Sequence, residues 1–147
     1  MSKHQILEIP CPECRTKVET TVWSSLNVQL DPDAKEDLLN GKLNFFQCTR
    51  CDFKAPVVAN FMYHDMDGGY SVQFYPFEAL EDDTFFDLFT PDGLVDIQQA
   101  GLPADSPISE LARSFMENCH IVFSMDELVR YVIFRDRLTE AKGNGPR

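Results

Sequence analysis

Hydrophobic and polar residues alternate most clearly from Val18 to Leu30. Val18, Val22, Leu26, Val28 and Leu30 fall on one side. Glu19, Thr21, Asn27 and Gln29 fall on the other, with Trp23 as its one large apolar member. Period two predicts a half-buried strand. Ile6–Pro10 and Leu43–Gln47 predict two shorter strands, each running into a cysteine turn. Between them, Asp31-Pro32 predicts a helix start, with an N-cap followed by proline at the first helical position. That helix should pass Leu38-Leu39 and stop at Asn40-Gly41, which suits a left-handed C-cap. Pro56–Tyr63 and Tyr70–Phe77 predict the two strands of a hairpin. His64-Asp65-Met66-Asp67-Gly68-Gly69 supplies the turn chemistry between them. That turn lacks the spacing and terminal Glu of an EF-hand, so it reads as a plain turn.

Beyond Phe77 the pattern changes. Residues 81–106 read as a long acidic connection, in which Phe85, Phe86 and Phe89 are predicted to pack as one short helix. Pro91-Asp92-Gly93 and Gly101-Leu102-Pro103 mark turns. Long connections in compact domains are functional or mobile. Ser106-Pro107 predicts another helix start, with Ile108, Leu111, Ala112, Phe115, Met116 and Cys119 at helical spacing. Ser124-Met125-Asp126-Glu127 has the form of a capping box. Leu128–Ala141 should be the last helix, its arginines toward the C-terminal half where the dipole favours them. Residues 142–147 read as a disordered tail.

Two cysteine pairs give these elements their chemistry: Cys11-Pro12-Glu13-Cys14 and Cys48-Thr49-Arg50-Cys51. Two residues between cysteines let a tight turn aim both sulfurs at one ion. Two such turns fill a tetrahedral sphere, the pattern of a structural zinc site with ligands Cys11, Cys14, Cys48 and Cys51. Asp52 follows the second turn where glycine is common, and aspartate tolerates the left-handed backbone. Thirty-three residues separate Cys14 from Cys48, against about 15–20 in compact ribbons. The excess holds a strand and a short helix. The fold class expected is therefore α+β. A zinc-ribbon-like module with an inserted strand and helix (residues 1–60) packs with a β-hairpin and C-terminal helices (61–141), in a single domain over 1–141. The rival is a dithiol redox centre, but a redox CxxC opens a helix after a parallel strand, and neither pair here does.

Composition changes the picture in two ways. No N-terminal stretch resembles a signal peptide and no run of about 18 apolar residues occurs. The expectation is a cytoplasmic protein with no membrane partner, where cysteine pairs read as ligands before disulfides. The net charge is −11, and it is unevenly placed. Residues 1–60 carry seven Lys/Arg and eight Asp/Glu. Residues 61–112 carry eleven Asp/Glu and no Lys or Arg, and residues 113–147 six against five. An acidic field repels phosphate backbones, so duplex DNA is not an expected partner. A solvated acidic surface that keeps the chain soluble is the plain reading of the middle block. The sharper reading makes it a partner surface, with Glu78, Glu81, Asp82, Asp83, Asp87, Asp92 and Asp96 around Phe85, Phe86 and Phe89. Arg15, Lys17, Arg50 and Lys54 flank the thiols, where they offset a four-thiolate site or offer a small basic face to nucleic acid.

Other candidates have duller readings. Cys119 and His120 fall at the end of the Ser106-capped helix, where neighbours point about 100° apart. Cys119 then reads as a small core residue and His120 as a cap for terminal carbonyls. His4 falls in a fraying terminus, and Trp23 reads as core or as a seam beside the ribbon. An enzyme site would have to be assembled from scattered carboxylates with His64 or His120. No phosphate loop, HExxH or GxSxG accompanies them.

The chain resembles the CpXC domain family, bacterial domains named for two short cysteine motifs. The resemblance rests on Cys11–Cys14, on Cys48–Cys51 after Leu43-Asn44-Phe45-Phe46, and on Ile121-Val122-Phe123-Ser124-Met125-Asp126-Glu127-Leu128. Thr49 stands where proline would repeat the first motif. The resemblance implies the zinc site and supplies no reaction. The expected function is a non-enzymatic protein-interaction module, with a nucleic-acid-associated ribbon or an enzyme as alternatives.

Overall fold

The computed structural model describes residues 2–96 and 119–142. It is α+β. Among the described residues, strands β1 (Lys3–Pro10), β2 (Lys17–Asn27) and β5 (Phe61–Asp65) are hydrogen-bonded in that order, and β6 (Tyr70–Phe74) is hydrogen-bonded to β7 (Cys119–Val122). Strands β3 (Phe45–Gln47) and β4 (Lys54–Pro56) pair separately, and the α-helices are α1 (Pro32–Leu39) and α2 (Met125–Lys142). By compactness the chain divides at His64/Asp65.

In the first unit, β1 and β2 are antiparallel from Lys3↔Ser25 to Pro10↔Lys17. Strand β1 extends three residues further toward the N-terminus than its apolar run suggests. His4 therefore sits within the strand rather than in a fraying end, its ring 4.6 Å from that of Trp23. Val22 and Leu26 are buried, as the alternation of β2 requires, but the strand stops at Asn27. Leu30 falls in the turn that follows and is 64% exposed, because extended geometry ends before its side can continue. From Ser25, β2 also pairs in parallel with β5. A parallel neighbour needs a long crossover, and residues 28–60 provide it.

Helix α1 begins at Pro32 as expected, although the Asp31 side chain makes no cap bond; only its carbonyl accepts, from the Ala34 amide at 3.2 Å and the Lys35 amide at 3.3 Å. The far end is a Schellman closure. The Gly41 amide donates to Leu38 O (3.1 Å) and the Lys42 amide to Asp37 O (2.8 Å), with Gly41 at φ +73°. Leu43 and Asn44 lie outside β3. Asn44 takes a left-handed φ of 52° and is buried, and its side-chain amide does the work of a strand partner. Its Oδ1 accepts from the Trp23 amide at 2.6 Å and its Nδ2 donates to Trp23 O at 2.9 Å. The predicted strand from Pro56 to Tyr63 is in fact two. Strand β4 closes on β3 and β5 starts at Phe61, with a break at 57–60 where the chain changes partner.

In the second unit, the turn after β5 is the plain one expected. Asp65 Oδ1 accepts from the Gly68 amide at 2.9 Å, and Gly69 takes φ +69°. Strand β6 is buried at four of five positions and pairs in parallel with β7 from Ser71↔Cys119 to Phe74↔Val122. Cys119 and His120 are therefore the start of a strand, not the end of a helix. Helix α2 opens on a bond from the Glu127 amide to Ser124 Oγ (3.1 Å), the N-cap half of the capping box. Leu128 and Val132 are fully buried on its inner face. Arg135 anchors its middle. The guanidinium lies 4.2 Å from the Tyr70 ring centre and donates to Tyr131 Oη (3.1 Å) and Gly68 O (3.3 Å). His120 stacks on Tyr131 at 4.1 Å with the rings 5° from parallel, so it caps no carbonyl-rich helix end.

The phenylalanine block is not one helix. Residues Phe77–Glu81 and Asp83–Leu88 form two short 3-10 turns, the second capped by Asp82, which accepts from the Thr84 amide at 3.0 Å. Phe89 lies beyond, extended, and bridges to Val95 around the expected turn at Gly93 (φ +84°). Phe85 is the hub, its ring 4.8 Å from Tyr75, 5.1 Å from Phe89 and 6.4 Å from Phe123. Phe86, by contrast, is 52% exposed. The predicted turn at Gly101–Pro103 and the Ser106-capped helix lie outside the described residues.

Candidate metal centre

Each cysteine pair occupies the loop of an antiparallel hairpin. After the last strand pair of β1/β2, Pro10↔Lys17, the Cys11 amide donates to Thr16 O at 2.9 Å. After the last pair of β3/β4, Gln47↔Lys54, the Cys48 amide donates to Phe53 O at the same 2.9 Å. The same six-residue loop is thus built twice, with the first and fourth residues cysteine. One detail differs from expectation. The left-handed residue is Arg15 (φ 64°) after the first pair, stabilised by its amide bond to Cys11 O (2.8 Å). Asp52 does not adopt positive φ.

The two loops bring all four sulfurs together. Cys11 Sγ lies 3.6 Å from Cys51 Sγ, and Cys14 Sγ lies 3.5 Å from Cys48 Sγ. All four lie within 4.8 Å of one another. A tetrahedral ion with metal–sulfur bonds near ~2.3 Å would place its sulfurs about 3.8 Å apart. A disulfide needs about 2.05 Å, and the four are free thiols. The donor set therefore fits a soft or borderline divalent ion in a closed, four-coordinate site. Cys11 and Cys48 are buried against Phe46, with Ile9, Val18, Phe53 and Val57 packed around them.

Electrostatics point the same way. Thr16, through its hydroxyl and then its amide, brings Cys14 down to about 6. The Cys51 and Arg50 amides, each 3.4 Å from Cys48 Sγ, lower Cys48. The Phe53 amide favours the Cys51 thiolate, but burial and the facing thiols of Cys48, Cys11 and Cys14 outweigh it and push Cys51 up to about 12. Four thiolates repel too strongly to form together without a counter-charge. A divalent cation among them removes that conflict, since ligation requires the thiolates.

Among the described residues, these cysteines are the group of His, Cys, Asp or Glu brought within coordinating reach. His64 sits in β5 and His120 on β7, and neither joins carboxylates in such a cluster. Cys119 faces Ser71, and burial raises its thiol. Among the described residues no helix is long and apolar enough to cross a membrane. One feature escaped the sequence reading: an apolar groove of about 570 Å³ beside the phenylalanine hub, lined in part by Leu80, Phe86, Ile121 and Phe123. The residues were visible in the sequence, but their meeting depends on β7 lying beside β6.

Neither a curated protein nor a solved structure matches the chain. A family profile described as CpXC protein matches residues 9–141, which takes in both cysteine loops, the crossover and all of α2 but its last residue. Nearly the whole chain is covered, and the protein belongs to the CpXC family.

Proposed function

We propose that Cys11, Cys14, Cys48 and Cys51 hold one structural zinc ion, and that the protein is a non-enzymatic interaction module built on that four-cysteine ribbon. The observation that carries the metal reading is the convergence of four free sulfurs from two matching hairpin loops, at spacings of 3.5 and 3.6 Å across the loops. Four protein ligands leave no position for water, so the ion would not activate a nucleophile. Zinc suits the donor set and the reducing cytoplasm we assign to the protein.

Protein purified without added metal should contain close to one equivalent of zinc by elemental analysis. Less than half an equivalent, with four freely titrating thiols, would refute the metal centre.

The partner reading rests on the acidic block, where Phe77 (67%) and Phe86 (52%) are exposed among carboxylates. A second reading has one observation behind it. Arg15, Lys17, Arg50 and Lys54 are all exposed around the cysteine loops, and Lys17 meets only an exposed Glu8 at 3.7 Å, a weak pair. The net charge of −11 opposes it. Duplex DNA should therefore bind weakly at physiological salt. Micromolar affinity in a fluorescence titration, lost on Arg50→Glu, would transfer the function to nucleic acid.

A further inference from the structure

The groove beside the phenylalanine hub has an apolar floor, and exposed carboxylates flank its lining residues in sequence. Leu80, Phe85, Phe86, Phe89, Ile121 and Phe123 line it. Phe85 is held from inside by Tyr75, Phe89 and Phe123, whereas Phe86, Leu88 and Leu94 remain 52%, 41% and 43% exposed. Soluble chains rarely leave such a cluster of large apolar side chains on show without a use for it.

Charge selects the occupant. Glu81, Asp87 and Asp92 each adjoin a lining residue in sequence and are exposed, as are Glu78, Asp82 and Asp83. No lysine or arginine occurs from Ala55 to Ala112. An anionic amphiphile or a second copy of this acidic block would meet repulsion. The chain's own residues 97–118 carry Asp105, Glu110 and Glu117 against Arg113, and match no better. A cationic segment that presents apolar side chains on one face satisfies both parts at once. Apolar anchors fill the floor and Lys or Arg meet the flanking carboxylates, the recognition mode of a helix in a groove.

We propose that this groove binds a basic, amphipathic segment of a partner protein. The inference rests on the interaction-module reading above and names the class of partner.

The test is fluorescence anisotropy of the full chain against labelled synthetic peptides. One is a leucine/lysine amphipathic peptide. Its controls are the same composition scrambled so that leucines share no face, a leucine/glutamate peptide and a leucine/glutamine peptide. The basic amphipathic peptide should bind best, more weakly as salt rises, and the acidic one not at all. Phe86→Ala should weaken binding about tenfold, as loss of an anchoring aromatic does. Glu81→Lys with Asp87→Lys, both exposed and clear of the core, should shift preference toward the acidic peptide. Equal binding of basic and acidic peptides, or of the scrambled control, overturns the proposal. Preference for the glutamine peptide, still weakened by Phe86→Ala, overturns the basic class but keeps the block as an interaction surface. Failure of every peptide removes both, and self-association lost on Phe86→Ala reassigns the groove to a second copy.

Discussion

If the four cysteines hold zinc as proposed, Cys14→Ser is expected to abolish its binding and the folded structure around both cysteine loops. A serine hydroxyl is not ionised at neutral pH and replaces a thiolate that Thr16 already favours. Structural zinc contributes about 10–16 kcal/mol in small modules, as much as the whole stability of a typical domain. The core beneath the loops cannot make up that loss. It consists of Phe46 with Cys11 and Cys48 themselves, ringed by half-buried neighbours. Loss of the second loop also releases β3, and with it Asn44, whose side chain holds the Trp23 backbone. Near-UV dichroism from Trp23, zinc content and the melting temperature should all fall together. Cys119→Ser is the control, because that thiol lies outside the cluster, and it should keep its zinc. A Cys14→Ser protein with unchanged dichroism and melting temperature would show that the metal does not hold this part of the fold.

The second large effect separates two phenylalanines one residue apart. Phe85→Ala should destabilise the protein by about 3 kcal/mol, at the lower end for a core aromatic because the ring is only half-buried. It removes edge-on contacts with Tyr75, Phe86, Phe89 and Phe123, each such pair contributing roughly 0.5–1.5 kcal/mol beyond burial. Phe86→Ala should cost about 1 kcal/mol or less, since half of its ring already faces water. Urea unfolding monitored by dichroism measures both. Equal losses would mean that both rings are core and that the block offers no anchor to a partner. The expectation that Phe85, Phe86 and Phe89 pack as one short helix does not survive the fold. Phe85 and Phe89 pack inward on Tyr75, and Phe86 points out.

Much of the site was legible because its chemistry is local. Two residues between cysteines dictate a tight turn, and the turn dictates where both sulfurs point. The start of α1 at Pro32, the Schellman end at Gly41 and the cap at Ser124 were legible for the same reason, since each depends on one or two residues and their immediate backbone. The family was legible from motifs that span the chain, and the profile match agrees.

Errors arose where a residue's state depends on a strand far away in sequence. The alternation through Leu30 continues past the point where β2 loses its neighbours, so Leu30 is exposed. Pro56–Tyr63 reads as one run, yet its ends pair with different strands, β4 with β3 and β5 with β2. Cys119 and His120 follow a helical pattern, but β6 recruits them as a parallel strand. Local propensity spans only a few residues, whereas strand pairing is settled by hydrogen bonds between distant segments. By itself, then, the sequence determined the two cysteine turns, the start and end of α1, the Ser124 cap and the uneven charge. Only the tertiary structure decided that the four sulfurs meet at metal-ligating spacing, that Phe85 faces inward while Phe86 faces water, and that an apolar groove forms among residues flanked in sequence by exposed carboxylates. Each of these requires surfaces brought together across long stretches of chain.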